Sequence, residues 1–129
     1  MKNEDAIKQL VENWAAAVRN EDIEAVLANH DESIVMFDVP APLQLKGIAA
    51  YRKTGKIYFS WSQHSGVFDI SELQVTASDT VAFCHGIIHC AGKELSGKSV
   101  EYKIRLTMGF CKKDGKWIIA HEHHSSPAA

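Results

Sequence analysis

The run Ile104–Ser125, IRLTMGFCKKDGKWIIAHEHHS, decides the fold. Its centre, Asp114-Gly115, is the strongest turn signal in the chain, because a two-residue hairpin turn needs positive φ and glycine adopts it without a steric penalty. Apolar residues alternate on either side, at Ile104, Leu106, Met108 and Phe110 before the turn and at Trp117 and Ile119 after it. That is the signature of two antiparallel strands with one buried face. If Lys113 pairs with Lys116 and the ladder stays regular, Gly109 faces Ala120, Thr107 faces Glu122 and Arg105 faces His124. Arg105, Thr107, Glu122 and His124 then share one face. Ile104, Leu106, Met108 and Phe110 share the other with Trp117, Ile119, His121 and His123. A slip of one residue would exchange the sets.

Working outward, two more alternating segments precede the hairpin, Val67–Thr76 and Val81–Cys90, divided by Ser78-Asp79 and followed by the Gly92–Gly97 turn region. With Val100–Lys112 and Trp117–Ser125 they predict a four-stranded antiparallel meander. The N-terminal half reads differently. Ile7, Leu10, Val11, Trp14 and Val18 recur at helical spacing, and Asn20-Glu21-Asp22 separates that helix from a shorter one through Ile23, Val26 and Leu27. Ser33–Phe37 predicts a strand that stops near Asp38, before Pro40 and Pro42. From Gly47, the spacing of Ile48, Tyr51, Ile57, Tyr58 and Trp61 predicts a third helix, weakened at Gly55. The expected fold class is α+β, with three N-terminal helices packed on a curved antiparallel sheet. Helices that cover a bent sheet incompletely leave an apolar cavity, the default place for a ligand.

Composition narrows the function. The 129 residues suit one domain spanning 1–129, and 46% hydrophobic with 23% charged residues is a globular balance rather than that of a disordered chain. A formal charge of -2, with no basic run longer than two residues, argues against nucleic acid or an anionic membrane as partner. No apolar stretch approaches bilayer length, and Met1-Lys2-Asn3-Glu4-Asp5 is too polar to open a signal peptide, so a soluble, cytoplasmic protein is expected. Cys84, Cys90 and Cys111 form neither a CxxC pair nor an even set, so reduced thiols are expected. No GxSxG elbow is present, and no cysteine sits in a thiolate-stabilising environment, so a hydrolase triad is disfavoured.

The polar row of Arg105, Thr107, Glu122 and His124 either faces water or lines the cavity. In the second case Arg105 and Glu122 would pair, and His124 would titrate near neutral pH. The seven histidines leave a metal site as an alternative, with His85 and His89 on one strand, His121 and His123 on another and Asp38 as carboxylate. Strand spacing holds such residues about 7 Å apart, and no HExxH helix occurs. No metal and no cofactor are therefore expected.

The whole chain resembles the nuclear transport factor 2-like superfamily, a cone-shaped fold shared by ketosteroid isomerase, SnoaL-like polyketide cyclases and the association domain of calcium/calmodulin-dependent kinases. The resemblance rests on the helix through Trp14-Ala15-Ala16-Ala17 and on Asp22-Ile23-Glu24-Ala25-Val26. It extends through Phe37-Asp38-Val39-Pro40-Ala41-Pro42-Leu43 and Gly47 with Tyr51-Arg52 to Asp114-Gly115-Lys116-Trp117 and the closing run His121-Glu122-His123-His124-Ser125. It implies that Asp38 stands where ketosteroid isomerases carry their general base, a carboxylate that shuttles a proton between carbons next to a carbonyl. Where those enzymes have an oxyanion-donating tyrosine this chain has Trp14, and where they have a second carboxylic acid it has Thr107. Both can donate a hydrogen bond. The resemblance also implies that Thr107, Glu122 and His124 belong to the cavity side. The candidate site is thus Asp38 as catalytic base, with Trp14, Tyr51, Arg105, Thr107, Glu122 and His124 binding a small apolar or carbonyl-containing ligand. Core packing is the alternative role for Trp14 and Tyr51, and capping of the proline loop is the alternative for Asp38. An isomerase or cyclase type of acid-base catalyst is one expectation, and a non-catalytic ligand-binding or association domain is the other. A homodimer through the sheet is expected, with the Ile104, Leu106, Met108 and Phe110 row as its apolar patch.

Overall fold

The computed structural model describes residues 2–128. Helix α1 runs Asn3–Arg19, with Glu4 and Asp5 in its first turn and Arg19 in its last, each placed to oppose the helix dipole. Its inward stripe of Ile7, Val11, Trp14 and Val18 is buried. Asn20 closes it by donating to the Ala16 carbonyl at 3.0 Å. Helix α2, Ile23–Leu27, starts at Asp22, whose carboxylate accepts the Ala25 N–H as an N-cap. Strand β1 covers His30–Phe37, and the two-residue β2, Leu45–Lys46, returns antiparallel to it. Two residues carry no readable periodicity, so β2 is invisible in the sequence. Helix α3 spans Ile48–Ser62, and Gly55 allows its close approach to α2, since a Cβ there would meet Ile23 at 3.0 Å.

Strands β3 (Phe68–Ala77), β4 (Val81–Lys93), β5 (Ser99–Lys113) and β6 (Lys116–Ser125) form the expected antiparallel meander. The sheet order is β2-β1-β6-β5-β4-β3, with β1 running parallel to β6. Asp114 at φ 51° and Gly115 at φ 76° make the tight turn between β5 and β6. All three helices pack on one face of the sheet. Trp14, Ile34, Ile88, Leu106, Met108, Phe110 and Ile119 meet there in one core, each apolar side chain contributing about 1.5–3 kcal/mol by burial.

The register after the turn departs from the regular ladder. Lys113 pairs with Lys116 and Phe110 with Ile119, but Gly109 then pairs with His121, leaving Ala120 as an extra residue in a β-bulge. Beyond it Met108 faces Glu122 and Leu106 faces His124, whereas Thr107 faces His123 and Arg105 faces Ser125. Glu122 and His124 therefore join the buried face, and His121 and His123 move to the outer one. The row expected from the sequence is split. Arg105 and Thr107 lie exposed on the outer face, where Arg105 donates to the Ser125 hydroxyl at 3.1 Å instead of pairing with Glu122. The physical reason is the single inserted residue, which inverts the alternation of everything that follows it.

The apolar row proposed as a dimer patch is also reassigned. Leu106, Met108 and Phe110 are at most 3% exposed within the single chain because the helices cover them. No helix among the described residues is long and apolar enough to cross a membrane.

At the far end of β4, Gly92 lies under the Trp61 indole, which stacks on Tyr102 at 5.9 Å between ring centres. A Cβ at Gly92 would overlap that ring. Gly92→Ala is expected to cost about 1–3 kcal/mol through overpacking, read as a lower Tm in a thermal unfolding scan.

Candidate functional site

Between the helical layer and the concave sheet lies a cavity of about 90 Å³. Its walls are mostly apolar, with Trp14 from α1, Phe59 from α3, Phe68 from β3 and Ile88 from β4. Two groups bring polar atoms to one end of it. Asp38 sits just past β1, where the proline loop diverges from the sheet, and His124 projects inward from β6 after the bulge.

A chain of polar contacts fixes this end. Glu122 is fully buried, and its two carboxylate oxygens are divided between two imidazoles, His30 Nε2 at 2.7 Å and His124 Nε2 at 3.2 Å. His30 also places Nδ1 3.1 Å from the Ala28 carbonyl. Each of its ring nitrogens thus faces an oxygen acceptor. Burial opposes ionisation of Glu122, yet the hydrogen bonds and charges of His124 and His30 outweigh it and hold the carboxyl down at about 2, below its ordinary 4.5. Burial would lower His124, but the Glu122 hydrogen bond and charge, with the Asp38 charge, raise it above its ordinary value. Its second nitrogen, Nδ1, stands 3.7 Å from Asp38 Oδ1. That is too long for a hydrogen bond, so a ligand atom at this end of the cavity can approach both groups.

Asp38 also accepts the Val39 N–H at 2.8 Å, so the turn role and the cavity-lining position coexist in one side chain. Trp14 gives its indole N–H to the Tyr51 hydroxyl at 2.9 Å. This corrects the expectation of Trp14 as a donor toward the ligand, since what it presents to the cavity is its ring. Burial, followed by the Glu122 charge, pushes the Tyr51 hydroxyl well above its usual range and keeps it neutral. His30 stacks beside Tyr51 at 4.6 Å between ring centres.

Of the residues singled out from the sequence, the structure brings together Asp38, Trp14, Tyr51, Glu122 and His124. Arg105 and Thr107 are left on the opposite face. His30 and Tyr58 were missed. His30 enters through the parallel pairing of β1 with β6, which has no local signal. Tyr58 had one, because it follows Tyr51 by seven residues and so shares its helix face. The histidines considered for a metal also separate: His85 and His123 flank Thr107 on the outer face, away from Asp38. Among the described residues no three His, Cys, Asp or Glu side chains are placed to hold a metal ion.

The SnoaL-like domain family matches residues 7–129. Among solved structures, an NTF2-like protein of unknown function from Pseudomonas putida KT2440 is 32% identical with a TM-score of 0.83, the match covering 98% of this chain and 87% of that one. A ketosteroid isomerase-like protein from Erwinia carotovora atroseptica shares the fold at 18% identity and TM-score 0.80, over 98% of both chains. A Xanthomonas campestris protein provisionally described as a calcium/calmodulin dependent protein kinase II association domain does so at 19% identity and TM-score 0.78, over 94% of this chain and 85% of that one. No curated protein matches the chain significantly in sequence.

The buried carboxylate makes stability depend on pH in a defined direction. Glu122 titrates near 4.5 when unfolded and about 2 when folded, so its contribution, on the order of 3 kcal/mol, is present above pH 4.5 and is lost as pH falls toward 2. His124 acts oppositely: its raised value gives stability that is present below pH 6.5, its ordinary value, and is lost as pH rises through the folded one. Urea unfolding of Glu122→Gln at stepped pH is expected to show a flatter acid limb. At pH 7 the loss should be about 3–5 kcal/mol, because two imidazoles lose their buried partner.

Proposed function

Because the chain belongs to the SnoaL-like domain family, we propose that its cavity takes a compact apolar carbonyl compound and that Asp38 and His124 move a proton at the carbon next to the carbonyl. The observation that carries this reading is the pairing of Asp38 Oδ1 and His124 Nδ1, 3.7 Å apart at one cavity end, with Glu122 bracing His124 from behind. An isolated acid could serve as a ligand anchor. An acid beside an oriented imidazolium supplies both halves of an enolisation.

In this mechanism the Asp38 carboxylate removes the α-proton, and the electron pair of the broken C–H bond moves into the carbonyl to form an enolate. His124 Nδ1–H donates to the enolate oxygen, which takes over the donor role that Trp14 and Thr107 do not fill. In a substrate with a carbon–carbon double bond next to that carbon, the enolate is conjugated through it, so Asp38 returns the proton to the far carbon of the double bond, and the isomer leaves with the double bond moved and the enzyme groups as they began. Glu122 positions His124 and maintains its charge. A cavity of about 90 Å³ is below the roughly 150 Å³ of one that binds benzene, so the compound it takes as it stands is smaller than an aromatic ring, and a fused tetracycle is too large. The resemblance of the Asp38 region to ketosteroid isomerases supports the chemistry, not their substrate.

A second reading concerns assembly. The outer sheet face exposes Phe83 at 49% and presents Phe37 between His121 and His123. We infer that two copies pair through this face, a reading supported by the shared fold with the association-domain protein. Leu106, Met108 and Phe110, buried under the helices, take no part in that pairing.

Deuterium exchange at the α-carbon of small cyclic ketones, followed by NMR, tests the chemistry. Asp38→Asn is expected to slow exchange by about 10²–10⁴-fold, and an unchanged rate overturns the role of Asp38. Exchange should fall as pH rises through the raised His124 value, and Glu122→Gln should move that limb to lower pH. For assembly, light scattering at micromolar concentration should give about twice the chain mass and Phe83→Asp about the single mass; a native monomer rejects the pairing.

A further inference from the structure

The proposed proton transfer uses one of the two imidazoles that share Glu122, and the other, His30, does not line the cavity. Its ring is nonetheless held in place. The side chain has no exposure, Nδ1 lies 3.1 Å from the Ala28 carbonyl, Nε2 lies 2.7 Å from Glu122 Oε2, and the Tyr51 ring packs beside it. The backbone is clamped as well, because the Ile119 N–H donates to the Asn29 carbonyl at 2.7 Å and ties the start of β1 to β6. Glu122 is ionised, and an ionised carboxylate only accepts, so the His30 nitrogen that faces it carries a proton.

The contact of Glu122 to His30 is 2.7 Å and that to His124 is 3.2 Å, so His30 takes the larger share of the carboxylate. The other groups packed around the pair bring no positive charge. From α3 the Tyr51 hydroxyl is neutral, and from β4 burial pushes the nearby Cys84 thiol up to about 12, so it is neutral too. Strand β5 sets Met108 and Leu106 across from Glu122 and His124, α1 offers the ring of Trp14, and Asp38 past β1 is a carboxylate on the far side of His124. Once His124 gives up a proton, Glu122 is a buried anion that has lost its cation on that side, and His30 is the partner that still steadies it.

We propose that His30 is a positioning residue for the reaction: by holding one oxygen of Glu122 it turns the other toward His124 Nε2 and keeps the His124 Nδ1 proton available to the enolate oxygen. This rests on the reading of Asp38 and His124 as the reacting pair. Without His30 the whole carboxylate charge falls to His124, and the state left after proton loss holds a buried anion short of one donor. His124 then keeps its proton to higher pH and is the weaker donor to the enolate. Glu122→Gln acts in the opposite direction, so the two substitutions bracket the native behaviour.

NMR titration of the His124 ring Cε1–H in the full chain, without ligand, reads this directly. His30→Leu, which offers no donor, is expected to raise the titration midpoint by about one pH unit and to slow α-deuterium exchange about threefold. His30→Gln places an amide N–H where Nε2 stood and is expected to return both to native. A midpoint in His30→Leu that stays or falls, or a Gln variant that behaves as the Leu variant does, overturns the proposal. Should His30→Leu not fold, the native protein and His30→Gln decide: proton–nitrogen correlation spectra must show His30 Nε2 protonated and the Gln midpoint must be native, and failure of either overturns it. The parent reading fails separately, because a shifted midpoint with no exchange in the native protein rejects the chemistry at Asp38, whereas exchange with an unshifted midpoint rejects the role of His30.

Discussion

A carboxylate with no exposure at all, divided between two imidazoles, governs the interior of this protein. Glu122 could not remain charged inside an apolar core unless His30 and His124 gave it hydrogen bonds and compensating charge. Each partner in turn is fixed by what Glu122 demands. His30 anchors the start of β1 against β6, and His124 is turned so that Nδ1 looks into the cavity. The same contact that ties the edge of the sheet to its centre thus orients the group proposed to donate a proton.

The bulge at Ala120 is what makes that contact possible. A regular ladder would hold Trp117 and Ile119 in the core and send Glu122 and His124 outward, where they would be solvated and ordinary. One extra residue lets β6 keep its two apolar anchors and still deliver an acid and an imidazole to the buried side. The helices complete the enclosure. α1 supplies Trp14, whose N–H is satisfied by Tyr51, and α3 supplies Tyr51 and Tyr58 along one face. A partly polar cavity in a molecule of this size is costly, because each buried polar group must find a partner. The Tyr58 hydroxyl is the one buried side-chain polar atom among the described residues that has none.

Much of the architecture was legible from local chemistry. The periodicity of Ile7, Val11, Trp14 and Val18 is a property of one helix and needs no tertiary knowledge. The alternation in β3 to β6 and the turn at Asp114-Gly115 likewise read directly, whereas local chemistry gave only the strand end near Asp38 and the resemblance to ketosteroid isomerases singled out its carboxylate. The site was half legible. His124 lines the cavity and Glu122 lies buried behind it, and both were singled out through a register that also drew in Arg105 and Thr107. Those two followed from the assumption of an unbroken ladder, and nothing in the run Trp117–Ser125 announces which residue will be left unpaired.

The sequence by itself determined the element types, their order and the class of fold, because helix and strand periods, caps and turn residues act over a few neighbouring positions. Only the tertiary structure decided which side of the sheet each late residue occupies, and that His30 reaches Glu122 across ninety-two positions of chain. Bulges and parallel pairings are settled by the competition of the whole core for burial and hydrogen bonds, a balance that no short stretch of residues contains.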